Sequence, residues 1–254
     1  MRSWSVLAAA IVLAGCLGSN TPVDTPNEGV AAADPLVWTG GNCDGREDAM
    51  AVNPEWAAAH LPAGMVARRF YGHGALLELL TLRCAFSQPG FSSSRDQVTL
   101  AGLQLDGSDL QRYDLYLVRA YHEDGASPLA QALADVGMEV MPAAVGFDDW
   151  GSSMAVVAEG EHIIVTPDAP PPGDSIRLSQ RVTVLHGDGG RWVFDIEGAT
   201  QDQTRFGHAT LGGGPYPGAC PFAASAEGAP CDGGTVALHS FLFASASDEA
   251  ALDA

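Results

Sequence analysis

Apolar and polar residues alternate over short stretches along most of the chain, and Gly, Pro, Asp and Ser separate those stretches. Period two is the signature of a half-buried strand, so the pattern predicts strands at 97–105, 113–121, 138–145, 153–158, 162–166, 176–185, 191–196 and 235–243. A short apolar start at Leu36-Val37-Trp38 precedes them. Gly74 to Arg83 has helical propensity, but its bounding glycines and the strands that follow favour a buried strand. Asp106-Gly107 supplies turn chemistry after the strand ending at Leu105. Two short helices interrupt the series. Asn53 is placed to cap the first, Pro54 suits its first position, and Pro62 with Gly64 ends it after His60-Leu61. Ser127-Pro128 opens the second, an amphipathic stretch from Leu129 to Val136 that Gly137 stops. Residues 168–174 and 212–230 read as long irregular loops. Many short strands with two helices predict an α+β domain, mostly antiparallel, curled into a closed or partly closed β-barrel.

The two ends depart from this pattern. Residues 1–15 join a positive start at Arg2 to the apolar run Val6–Leu13, which is too short for a comfortable span, and reach small residues at Ala14-Gly15. Leu13-Ala14-Gly15-Cys16 resembles the lipobox of prokaryotic lipoproteins, which implies lipidation of Cys16 and an extracytoplasmic protein anchored to a bacterial or archaeal envelope. A cleaved secretory signal with an unmodified cysteine is the alternative. Residues 16–35 are Gly, Ser, Asn, Thr, Pro, Asp, Glu and Ala with little to bury, the composition of a flexible tether. Residues 36–244 form one β-rich domain on this reading, since no internal linker divides them. The stretch 245–254 is a small, acidic tail.

Charge narrows the choice of partner. Asp and Glu number 31 against 12 basic residues, for a net charge of −19, and every basic residue is Arg. Such a surface repels nucleic acid and anionic headgroups, so the expected membrane contact is the lipid alone. Besides Cys16 there are Cys43, Cys84, Cys220 and Cys231, an even number that suggests two disulfides in an oxidising compartment. Cys220 and Cys231 bracket a Pro, Gly and Ala loop and pair locally, which leaves Cys43 with Cys84. A metal site is the rival, but there is no Cys-x-x-Cys pair and the seven His are scattered.

The order of elements looks like the acetoacetate decarboxylase-like fold. The suggestive stretch is Pro54-Glu55-Trp56-Ala57-Ala58-Ala59-His60-Leu61-Pro62-Ala63-Gly64-Met65, a short helix ending in Leu-Pro-x-Gly. A strand at 75–84, another strand, the strand at 113–121, the helix at 128–136 and the strand at 138–145 follow it. The resemblance spans residues 45–165, with Leu-Pro-x-Gly its one literal motif, and implies a closed barrel with an internal cavity. Decarboxylases of that family resemble one another in forming a Schiff base on a buried Lys. The resemblance places that Lys in the region of Leu129–Val136, where no residue is an amine, and the chain has no Lys anywhere. Arg cannot substitute, because its guanidinium stays protonated. The family's usual chemistry is therefore not expected here.

No zinc or calcium motif, Gly-x-Ser-x-Gly elbow or phosphate loop is present, and His122-Glu123-Asp124 reads as a solvated turn. No cofactor is expected. Charged or polar residues on otherwise apolar strands are the remaining pointers to a binding cavity: Glu78, Asp96, Arg119 and His239. Alternation sets Glu78 on the face of Leu76, Leu80 and Leu82, with Arg83 opposite. It sets Arg119 with Leu115, Leu117 and Tyr121, and His239 with Ala237, Phe241 and Phe243. The favoured reading is a non-catalytic, lipid-anchored barrel that binds a small, partly apolar organic molecule or serves as an envelope component. The first rival is a Lys-independent enzyme, of decarboxylase, isomerase or hydrolase type, using acid–base chemistry from Glu78, Asp96 or His239. The second is a protein-interaction module using the loops at 168–174 and 212–230.

Overall fold

The computed structural model describes residues 36–69, 74–88, 90–108, 112–135, 137–147, 153–167, 175–187, 190–202, 205–216, 219 and 235–244. The chain divides into a unit Met1–Ala31, outside the described residues, and a unit Ala32–Ala254, which contains all of them. Cys16, Cys220, Cys231, the loop at 168–174 and the tail at 245–254 also lie outside them.

The elements in chain order are β1 (Leu36–Val52), α1 (Pro54–His60), β2 (Ala75–Gln88), β3 (Phe91–Gln104), β4 (Arg112–His122), α2 (Pro128–Asp135), β5 (Val140–Phe147), β6 (Met154–Ala158), β7 (Glu161–Pro167), β8 (Ser175–His186), β9 (Gly190–Asp202), β10 (Arg205–Gly213) and β11 (Thr235–Ala244). Both helices begin as their sequences dictate. Asn53 Oδ1 accepts from the Glu55 amide at 2.8 Å and Pro54 takes the first helical position. Ser127 Oγ accepts from the Ala130 amide at 3.0 Å at the start of α2. That helix closes with Met138 N donating to Leu133 O and Gly137 N to Ala134 O, the paired bonds of a Schellman motif.

All of the strands belong to one 11-stranded sheet that closes on itself twice. One ring runs β1–β2–β3–β4–β5–β6–β7–β10–β11 and returns to β1 through the antiparallel pairing of residues 44–50 with 238–244. The other runs β1–β2–β3–β4–β8–β9 and returns to β1 through the parallel pairing of residues 36–39 with 192–195. Strands β1 to β4 are common to both. The pairings β4–β5, β4–β8 and β1–β9 are parallel and the rest antiparallel, so the result is a nearly closed, mostly antiparallel barrel with two short helices.

Sharing β1–β4 between two rings gives those strands two buried faces. Leu77, Leu79, Ala101, Leu103 and Tyr121 point into the first ring and meet Val145, Met154, Val156, Ile163, Val165 and Leu211. Leu80, Leu82, Val98, Leu100 and Leu115 point the other way, against Val182, Val184 and Trp192 of β8 and β9 and Leu129 and Leu133 of α2. At about 1.5–3 kcal/mol for each large apolar side chain removed from water, these two clusters supply most of the drive to fold.

The structure changes the sequence reading in three places. First, β1 does not stop after Trp38 but runs unbroken to Val52 through Thr39-Gly40-Gly41 and the acidic stretch, because it has strand partners on both sides. Second, β10 is an unpredicted strand, and it takes Gly212 and Gly213 out of the expected loop. Glycine at 207 there is a packing requirement, since a Cβ would lie 2.4 Å from Thr166 O on β7. Third, β4 carries a bulge. Ala101 faces Arg119 while Gly102 faces Leu117, which leaves Val118 as the extra residue. Arg119 therefore keeps the face of Tyr121 but parts from Leu115 and Leu117, whose side chains lie in the other core.

His186 closes the β8–β9 hairpin beside Gly190 and is buried against Gly137 at the end of α2. Burial lowers its pKa from the usual 6.5, and a hydrogen bond to the Gly137 backbone opposes the shift only in part. The folded chain thus binds the His186 proton less readily than the unfolded chain. This contribution to stability is present above about pH 6.5 and is lost as pH falls from there toward the depressed folded value. Urea denaturation between pH 5 and 8 is expected to show that loss, and His186→Gln to flatten it.

Candidate binding site

Directly opposed residues in a sheet share a face, so the register of β1 to β4 fixes what lines the first ring in successive rows. The first row with a side chain from each of β1, β2 and β3 runs Asp44, Arg83, Gln97, and Arg95 stands opposite Ala85 one row farther out. The next inward is Arg46, Thr81, Thr99, Tyr121, and the third is Asp48, Leu79, Ala101, Arg119. A cleft of about 410 Å³ opens at the outer rows, lined by Arg83, Arg95, Asp96, Gln97, Glu123, Val145 and Gly146. It is the mouth of the first ring. β2 and β3 supply Arg83, Arg95, Asp96 and Gln97, Glu123 follows the end of β4, and β5 supplies Val145 and Gly146.

One carboxylate organises the arginine wall. Asp44 is buried, and its Oδ2 accepts from Arg83 Nη2 at 2.6 Å while Oδ1 accepts from Arg83 Nε at 3.2 Å. Arg95 Nη2 donates to the same Oδ1. Two guanidiniums thus converge on one carboxylate, and each of their side chains remains 39% exposed. A guanidinium held by a partner loses little further freedom when a ligand docks, and two of them match the planar geometry of a carboxylate or phosphate.

Deeper rows are polar but internally matched. Arg46 Nε donates to Asp48 Oδ1 at 2.9 Å and Oδ2 at 2.8 Å, with both side chains fully buried. Residues two apart on a strand share a face, which is how this pair forms and how its opposite charges escape isolation in the barrel. Thr81 and Thr99 hydroxyls lie 3.0 Å apart in the same interior. Tyr121 and Tyr216 share a hydroxyl–hydroxyl bond of 2.6 Å. Burial is the main cause that raises both phenol pKa values, so both stay protonated and neither can serve as a base. Arg119 Nε sits 3.5 Å from Glu161 Oε1 without hydrogen-bond alignment, and its Nη1 is 3.3 Å from Glu139. Glycine is required at position 214, where φ is +52° and a Cβ would fall 1.6 Å from Glu161 Oε2.

Of the residues singled out in the sequence, Asp96 lines the cleft. Its Oδ1 accepts from His122 Nε2 at 3.0 Å and from the Gln97 amide at 2.9 Å. Ser127 Oγ is also within 3.1 Å of His122 Nε2. The trio of Asp, His and Ser is nonetheless no catalytic triad. A triad sets the carboxylate on Nδ1 and the hydroxyl on Nε2, whereas here both meet Nε2 and Nδ1 accepts the Asp124 amide at 2.9 Å. The trio ties β3 and β4 to the start of α2. Glu78 is buried on the reverse face with Leu80 and Leu82, outside the cleft. Arg119 faces the first ring two rows in from the mouth. His239 stands opposite Ala49 and Phe206 by register, and its side chain lies outside the described residues. Cys84 is disulfide-bonded. Among the described residues no group of His, Cys, Asp and Glu is arranged to hold a metal ion.

Sequence reasoning missed Asp44, Arg83, Arg95, Arg46 and Asp48 as a set. The signal available was Arg46 and Asp48 two apart, but Gly-rich, polar residues 39–48 lack the apolar alternation that marks a strand.

No family model and no curated protein matches this chain. Among solved structures, the enduracididine biosynthesis enzyme MppR complexed with pyruvate matches at 15% identity and TM-score 0.44, over 91% of this chain and 96% of that one. Acetoacetate decarboxylase from Legionella pneumophila subsp. pneumophila str. Philadelphia 1 matches at 11% identity and TM-score 0.40, over 82% and 84%. An acetoacetate decarboxylase-like enzyme from Sphingomonas wittichii RW1 matches at 13% identity and TM-score 0.39, over 91% and 97%. At these scores the likenesses carry no residue role across, and the barrel is defined by its own strand pairings.

The buried tyrosine pair makes a sharp test of the interior. Tyr121→Phe leaves the Tyr216 hydroxyl without that partner and is expected to cost about 1–3 kcal/mol in denaturant unfolding. The double variant Tyr121→Phe with Tyr216→Phe is expected to cost less than the sum of the two single changes.

Proposed function

We propose that this chain is an exported lipoprotein, acylated at Cys16, whose barrel binds a small organic acid at its mouth and performs no Schiff-base chemistry. The observation that carries the binding reading is the convergence of Arg83 and Arg95 on the buried Asp44 carboxylate at the wall of the 410 Å³ cleft. Pre-formed pockets of several hundred Å³ with a few fixed polar groups suit small ligands. The guanidiniums of Arg83 and Arg95 are the cationic groups of the cleft, whose lining also carries Asp96 and Glu123, and they are the donors an anionic group would meet there. Val145 and Gly146 in the same lining leave room for an apolar portion of the ligand.

The missing Lys supports the non-Schiff-base part. The export part rests on Leu13-Ala14-Gly15-Cys16 and the composition of the residues around it. A disulfide between Cys43 and Cys84 fits the same oxidising compartment, since the β1–β2 register brackets those positions between the pairs Gly41–Ala85 and Asp44–Arg83.

Native mass spectrometry and calorimetric titration with short-chain carboxylates test the binding reading. Carboxylates are expected to bind, and Arg83→Met with Arg95→Met to weaken them by about tenfold or more, in line with the loss of charge-assisted bonds. Undiminished binding in the double variant would overturn it. Turnover of a bound acid, followed by NMR, would instead favour the Lys-independent acid–base enzyme, with buried Glu161 the first residue to replace. Intact-mass measurement of protein from its native membrane checks the anchor: the expected product starts at a diacylglycerol-modified Cys16, and Cys16→Ser is expected to lose the lipid.

A further inference from the structure

We infer that the cleft selects amino-acid-like zwitterions over simple carboxylates, with Glu123 receiving the ligand's ammonium group. This inference rests on the carboxylate-binding reading above and names the class of ligand within it. Arg83 and Arg95 form the cationic wall on β2 and β3. Glu123 follows directly after β4, the neighbour of β3 in the sheet, and lines the same cleft. Tyr121 points into the first ring, so Glu123, two residues on, lies at the rim of that ring. The other acidic lining residue, Asp96, already accepts from His122 and from the Gln97 amide, and Asp44 is buried behind the two arginines. Glu123 is exposed and stands at the edge of the opening. A cleft lined by two guanidiniums and, beside them, an exposed carboxylate is complementary to a molecule that carries both signs a few atoms apart. A plain acid would meet the arginines but also the repulsion of Glu123, and a plain amine the reverse. Val145 and Gly146, in the same lining, suit a short aliphatic side chain.

The test uses three probes of equal chain length, L-norvaline, pentanoate and pentylamine, titrated into the full-length protein and into Glu123→Gln. Glu123 is exposed, so its replacement is expected to leave the fold intact, which a thermal melt checks. Norvaline is expected to bind about three- to fivefold more tightly than pentanoate, the range of a solvent-exposed ion pair. Glu123→Gln is expected to erase that preference while pentanoate affinity holds or rises slightly. Equal affinity for norvaline and pentanoate in the native protein, or a preference unchanged in Glu123→Gln, overturns the zwitterion inference and leaves the carboxylate reading standing. Failure of both norvaline and pentanoate to bind overturns the two readings together.

Discussion

Strands β1 to β4 must be buried on both faces, and the rest of the structure follows from that constraint. Each is long enough to serve one ring over part of its length and the second ring over another part, so apolar side chains on opposite faces feed separate cores. The consequence is plain in β3, where residues 98–104 are all buried while residues 91–97 are exposed or half-buried. Removing either partner layer would leave a row of Leu and Val in water, which ties the two rings into a single cooperative structure.

Double burial also decides where polar groups can sit. Inside the first ring the charges come in compensated sets, Arg46 with Asp48 and Arg119 with Glu161, and the exposed Glu139 also reaches Arg119. The tyrosine and threonine hydroxyls bond to each other. At the mouth the same arrangement reaches solvent, and two arginines anchored on one carboxylate present their remaining surface to the cleft. Tyrosines held protonated and a His whose Nδ1 is occupied by a backbone amide supply no activated nucleophile among these groups.

Much of the element order was legible because short-range chemistry fixed it. Asn53, Pro54, Ser127 and Gly137 mark helix ends through bonds formed within a few residues, and those bonds are present. Alternation located β6 and β7 because each buries one face most strongly in a local run, while β2 was marked by its bounding glycine and the strands after it. It failed for β10, whose glycines allow close approach to β7 and His162, and for the middle of β1, whose polar residues are stabilised by partners far along the chain. It also misassigned Arg119, because one extra residue at Val118 reverses every inference drawn across it.

By itself the sequence determined the kind of elements, the strand-rich curled sheet, the acidic balance and the loss of any side-chain amine, since each depends on residue identity or on neighbours close in the chain. Which charges meet was decided only by tertiary structure. Asp44 reaches Arg83 and Arg95 through the register of β1 on β2 and β2 on β3, and Glu123 joins their cleft because β4 pairs with β3. The physical reason is range: hydrogen-bonded strand register spans tens of residues of sequence, and a cleft exists only once that register brings its walls together.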